Sequence, residues 1–168
     1  MTRFFILLFT LAPIFLVAQT RETATIEYDS RKNVLLINNQ ALELPVSVDT
    51  LEQRLKVISR NSGDIHYFDN EGLLCVADSL GIIREISIQF SPKSGNESTT
   101  SHFRGKFLFD GNVLYAQTDV PTLRSVIRAS RFPFDIMFDA LVKVQNMNFT
   151  LMFLIGNNGY LDTLVIKL

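Results

Sequence analysis

VDTLEQRL, residues 48–55, decides how this chain is read, because 72 residues further on, at 120–127, the chain writes VPTLRSVI. In the first stretch Asp49 reads as an N-cap with Glu52 three residues later, and Leu51, Leu55 and Ile58 fall on one helical face. In the second, Asp119 or Thr118 caps a helix with Pro121 in its first turn, and Leu123, Val126 and Ile127 supply the apolar face. Two short helices with one apolar pattern and different charged residues predict two copies of one folding unit.

The surroundings of each helix extend the pattern. Before the first, ATIEY (24–28) and VLLIN (34–38) flank the turn-forming DSRKN as a hairpin, and Gln40 to Leu44 alternates as a further short strand. After it, beyond the breaker cluster RNSGD, the strands IHYF, LLCVAD and IIREISIQF are separated by the turns DNEG and SLG. Before the second helix, FRGKFLF and NVLYAQ flank Asp110-Gly111, a strong hairpin turn signal. After it come VKVQNM, NFTLMFLI, the turn GNNG and YLDTLVIKL. Ile37 to Gln40 matches Phe109 to Asn112 at an offset of 72, and Gly81 matches Gly159 at 78, so six extra residues are expected in the second copy, within SRFPFDI (130–136). SPKSGNESTTS (91–101) has no apolar side chain and reads as a linker. The expected fold is therefore α+β: two sequential antiparallel-sheet units, 19–90 and 102–168, each with one packing helix, forming a degenerate tandem repeat.

Met1-Thr2-Arg3 followed by FFILLFTLAPIFLV is a basic start and a short apolar run, the pattern of a secretory signal peptide over residues 1–18 with cleavage after Ala18. The run is shorter than the roughly 20 residues of a membrane span, so the mature chain is expected to carry none. An exported chain, periplasmic or extracellular, follows. Arg3 is the one charged residue removed, which leaves 15 basic against 17 acidic residues. With no basic stripe, nucleic-acid binding lacks its main electrostatic contribution. The single cysteine, Cys75, has no internal partner and lies in the apolar run LLCVA, where a thiol is a small core residue.

Chemistry has one candidate. GDIHYFDNEG gathers Asp64, His66, Asp69 and Glu71 within eight residues, groups that could share acid and base roles or hold a metal. In a strand Asp64 and His66 share a face, but Asp69 and Glu71 belong to the following turn, where Asp-Asn-Glu-Gly is ordinary turn chemistry. There is no nucleophile elbow, phosphate-binding glycine loop or HExxH helix. No catalytic residue, metal ligand or cofactor is therefore assigned. RFPFDIMFDALVKV (131–144) instead places Phe132, Phe134, Met137 and Phe138 where the second copy is longer; they either complete the core or form a contact surface for a protein or apolar ligand.

INNQALELP, SVDTLEQRL, HYFDNEGLL and IREISIQF, within residues 37–90, resemble uncharacterised exported bacterial proteins built on a hairpin, a capped helix and a meander. The tandem plan is also similar to that of beta-lactamase inhibitor proteins and small outer-membrane assembly factors, a resemblance that implies a binding role. The sequence thus leads to an exported, non-catalytic binding or interaction protein of the cell envelope, with partner unnamed. Its rivals are a small metal-dependent or acid-base hydrolase using the His66 region and a subunit whose apolar surface makes a homodimer.

Overall fold

A computed structural model describes residues 24–168 apart from 30, 31, 33, 43, 44, 93–97, 131, 138, 139 and 146–148. The expected signal peptide and its cleavage site lie outside the described residues. The first half runs β1 (Thr25–Asp29), β2 (Val34–Ile37), β3 (Gln40–Leu42), α1 (Val48–Leu55), β4 (Arg60–Ser62), β5 (Ile65–Phe68), β6 (Leu73–Ala77) and β7 (Ile83–Gln89). The second runs β8 (Lys106–Phe109), β9 (Asn112–Leu114), α2 (Val120–Ala129), β10 (Phe134–Met137), β11 (Leu141–Gln145), β12 (Thr150–Ile155) and β13 (Leu161–Lys167).

The α+β class holds, with two helices and two sheets among the described residues, but neither sheet belongs to one half. One sheet has five strands in the order β3-β2-β1-β8-β9, the other eight in the order β10-β11-β12-β13-β7-β6-β5-β4. The expectation of a separate antiparallel sheet in each unit is corrected on both points. β1 pairs antiparallel with β2 and parallel with β8, with Ile26 beside Phe107. In the larger sheet β7 and β13 pair antiparallel through Ile86–Ile166 and Ile88–Leu164. The pairing places both strands inside the sheet, and residues 86–89 of β7 and 163–166 of β13 are buried without a break, the polar Ser87, Gln89 and Thr163 among them. One core cluster accordingly draws on both halves. Tyr28 meets Phe149 edge-on at 5.4 Å and Phe109 meets Phe153 at 6.1 Å, which joins the two sheets face to face.

Local structure corrects several readings. α1 is capped by Ser47, whose hydroxyl accepts from the Thr50 N–H, and Asp49 sits in the first turn instead. The helix ends at Leu55 because Lys56 turns left-handed at φ 55, so Ile58 leaves the apolar face and is 86% exposed. α2 is capped by Asp119, one of the two residues expected. The breaker RNSGD contains β4, and RFPFDIM supplies β10, so each long meander has four strands rather than three. Residues 98–101, expected as linker, are knitted in: Ser98 and Thr99 are buried, and the Thr99 N–H and hydroxyl both donate to the Gln89 side chain.

Features of the first half recur in the second at the expected spacings. The Ser47–Ile82 bridge returns as Asp119–Tyr160, 72 and 78 residues on. Asn38 and Asn39 hold positive φ as Asp110 and Gly111 do, and the irregularity at Val76/Ala77 returns at Leu154/Ile155. The six extra residues are divided, however. Ile65–Val76 corresponds to Leu141–Leu154, so four precede β11 and two fall between β11 and β12.

Candidate functional site: two clefts flanking helix α1

The larger cleft, about 720 Å3, opens between the β2–β3 turn, α1 and the start of β8. Asn38 and Asn39, at φ 50 and 63, make the two-residue turn, a conformation that Asn tolerates better than most side chains. Asn38 is tied to β1 twice: its N–H donates to the Thr25 carbonyl, and its side-chain oxygen accepts from the Thr25 N–H. Thr25 pairs with Lys106 across the parallel β1–β8 ladder, which brings Lys106 to the rim. From α1 come Thr50, Gln53 and Arg54, one helical turn on a single face, with Lys56 just past its end. The Arg54 guanidinium donates to the Gln40 side-chain oxygen and is thereby positioned over the hairpin. Arg54, Lys56 and Lys106 are cationic; among the described lining residues there is no carboxylate.

The acids of α1 face elsewhere. Asp49 and Glu52 line a smaller cleft of about 230 Å3 with Ser59, Asn61, His66 and the Leu80-Gly81 turn. Here a chain of hydrogen bonds forms. The Ser59 N–H and hydroxyl donate to Glu52 Oε1 at 2.8 and 2.7 Å, and the Ser59 oxygen lies 3.2 Å from His66 Nδ1. Since the hydroxyl proton goes to Glu52, a neutral His66 donates from Nδ1 and keeps Nε2 as the acceptor. The two Ser59 hydrogen bonds, backbone first, hold the Glu52 carboxyl below its usual range.

The four polar residues singled out in the sequence do not converge. Asp64 is exposed in the β4–β5 turn, and His66 turns to Ser59. Asp69 accepts two hydrogen bonds from Arg60, at 2.9 and 3.1 Å, and one from the Thr100 N–H. The Arg60 bonds lower the Asp69 carboxyl, and the same guanidinium lies 4.2 Å from the Tyr67 ring centre. Glu71, in the same β5–β6 turn, is buried. Among the described residues no three His, Cys, Asp or Glu side chains gather as metal ligands would. Cys75 is fully buried, and burial pushes its thiol up to about 12, with the Glu52 charge adding to the effect.

Of the candidate aromatic surface, Phe132 and Phe134 are partly buried and pack against the core. Phe138 and the Met137 side chain lie outside the described residues, while the Met137 backbone pairs with Leu141 on the edge strand β10. Among the described residues no helix is long and apolar enough to cross a membrane. The cationic cleft went unread because the sequence gives α1 an apolar face and no sign that Lys106, about 50 residues away, borders its polar one.

Residues 25–122, more than half of the 168, match the family model of DUF7738, a domain of unknown function. The chain belongs to that family. The DUF7738 match runs from β1 into the first turn of α2, so it crosses the expected linker and takes in the whole five-stranded sheet. It also contains all described residues lining both clefts. No curated protein and no solved structure matches the chain.

Proposed function

We propose that this chain is an exported, non-catalytic binding protein of the bacterial cell envelope, and that the cleft between the β2–β3 turn and α1 takes its ligand. One observation carries the reading: the described residues lining the larger cleft are amides, hydroxyls and cations, with no paired acid and base or activated nucleophile among them. The acid-base candidates elsewhere support it, since Asp69 is held by Arg60 and Cys75 is sealed in the core.

The scaffold reading goes with it: a tandem repeat whose two units merged their sheets and then diverged at exposed positions. Support comes from the recurring caps, bridges and turns, and from the central pair of the larger sheet. Ser87 pairs with Val165, its own counterpart 78 residues on, so a local two-fold axis passes through that pair. Among the described residues β1 has no counterpart strand, and it lies between the hairpins β2–β3 and β8–β9.

The test is cross-linked capture by the tagged chain in its producing cells, comparing wild type with an Arg54→Gln, Lys106→Gln variant and a Phe134→Ser variant. A partner or ligand lost only in the first supports the cleft; loss only in the second moves the contact to the β10 edge. A folded wild type that captures nothing but itself defeats the binding reading in favour of a homodimer subunit.

One observation favours a second reading, a hydrolase working through His66. The Glu52–Ser59–His66 chain orients the imidazole beside a cleft. Hydrolysis of model esters or phosphoesters that disappears in His66→Ala, while binding persists, would select it.

A further inference from the structure

We infer that the larger cleft is a site for a small multivalent oxyanion, a ligand bearing phosphate or carboxylate groups. The inference rests on the binding reading above and names the class of ligand.

Charge is the first argument. The chain as a whole carries a net charge of −1, yet Arg54, Lys56 and Lys106 border one concavity with no carboxylate among the described lining residues. α1 sorts its charges: Arg54 lies on the cleft side and Asp49 and Glu52 line the smaller cleft on another face. A random solvated surface would intersperse the two signs. Instead the potentials of Arg54 and Lys106 add within a concave wall, where field lines are focused.

Preorganisation is the second. A guanidinium has five N–H donors, and Gln40 accepts from only one of its nitrogens, Nη1, so the side chain is held in place while the fork that suits an oxyanion is retained. Thr25, Asn39 and Gln53 add further neutral polar side chains to the lining, while the Thr50 hydroxyl is shared with Ser47. At about 720 Å3 the cleft falls in the range of roughly 300–1,000 Å3 that small-molecule sites occupy.

The second unit supplies an internal control. At the offset of 72, Arg54 corresponds to Val126, Gln53 to Ser125 and Asn38 to Asp110. Lys56 has a cationic counterpart in Arg128, but Arg54 is replaced by an apolar residue and Asn38 by an acid, so the guanidinium at 54 is not something the shared scaffold requires.

The experiment is a 15N–1H titration of the purified chain with sodium pyrophosphate and, separately, sodium citrate, at ionic strength matched with sodium chloride. Saturable shifts are expected at residues 38–40, 53–56 and 106, and the probe that saturates first tells phosphate from carboxylate. Arg54→Gln, Lys106→Gln should weaken binding by at least about tenfold, because charge-assisted donors are lost. Arg128→Gln, which removes an exposed cation of α2 that does not line the cleft, should change it by less than about twofold. Unchanged melting temperatures would show that the exposed substitutions leave the fold intact. Shifts that never saturate, that sodium chloride reproduces, or that survive the double substitution overturn the assignment. If capture in cells still depends on the cleft while neither anion binds, the oxyanion class is wrong and the binding reading stands.

Discussion

Asp69 shows how a residue suited to catalysis is used in building. Its carboxylate takes two hydrogen bonds from Arg60 and one from the Thr100 N–H, so it fastens the 98–101 segment to the β5–β6 turn. Those bonds favour the ionised form and depress its pKa. The stability they give is present above the unfolded value, near 3.8, and is lost as pH falls through the folded one. Melting temperature followed from pH 6 to pH 2 should therefore fall below about pH 4, and less steeply in Asp69→Asn, which at neutral pH should already be about 1–2 kcal/mol less stable. Gly72 is a sharper case. It holds φ +65, and an added Cβ would lie 2.0 Å from the Phe103 backbone nitrogen, so a methyl group there meets main chain. Gly72→Ala should destabilise by about 2–4 kcal/mol in urea unfolding, from strain and displacement of Phe103 together. Neither role was legible in GDIHYFDNEG: the residue types were visible, but their partners at 98–103 lie about 30 positions away.

At the scale of elements, the helices were the most legible feature and their ends the least. Leu51 and Leu55 in α1, and Leu123 and Ile127 in α2, are buried as their spacing predicts. The cap moved to Ser47 because its hydroxyl reaches the Thr50 N–H, and hydroxyl and carboxylate caps are close in strength. Ser47→Ala should cost about 1 kcal/mol and Asp49→Ala less than half of that, a difference that chemical denaturation can resolve. Lys56 ends α1 in a left-handed conformation that a side chain enters at a cost, so Lys56→Gly should stabilise the fold by up to about 1 kcal/mol. If Lys56 also serves the cleft, the same variant should bind pyrophosphate more weakly, separating stability from binding in one protein. β4 and β10 escaped the reading of the sequence because edge strands need no apolar alternation: RNS is exposed throughout, and FDIM is known as a strand only through its pairing with LVKV.

The molecule as a whole departs most from expectation, since two units in sequence became one body in space. The 19–90 segment alone would carry β7 with Ile86 and Ile88 stripped of β13, and β1 with Ile26 stripped of β8. That segment should fail to fold, giving collapsed or aggregated chains with poor amide dispersion, whereas a chain nicked within 93–97 should stay associated through both sheets. Unfolding of the intact protein should be a single transition by both far-ultraviolet and tyrosine signals, as one shared core demands.

Composition, apolar periodicity and turn residues determined the α+β class, both helices, the Asp110-Gly111 hairpin, eleven of the thirteen described strands and the spacings at which features recur, because all of these depend on neighbours close in the chain. Which strands share a sheet, that β1 runs parallel to β8, that β7 meets β13 at Ser87 and Val165, and that Arg54 and Lys106 border one cleft were decided only by the tertiary structure. Local propensity makes a strand; only the competition to bury its faces and pair its edges chooses the strand beside it.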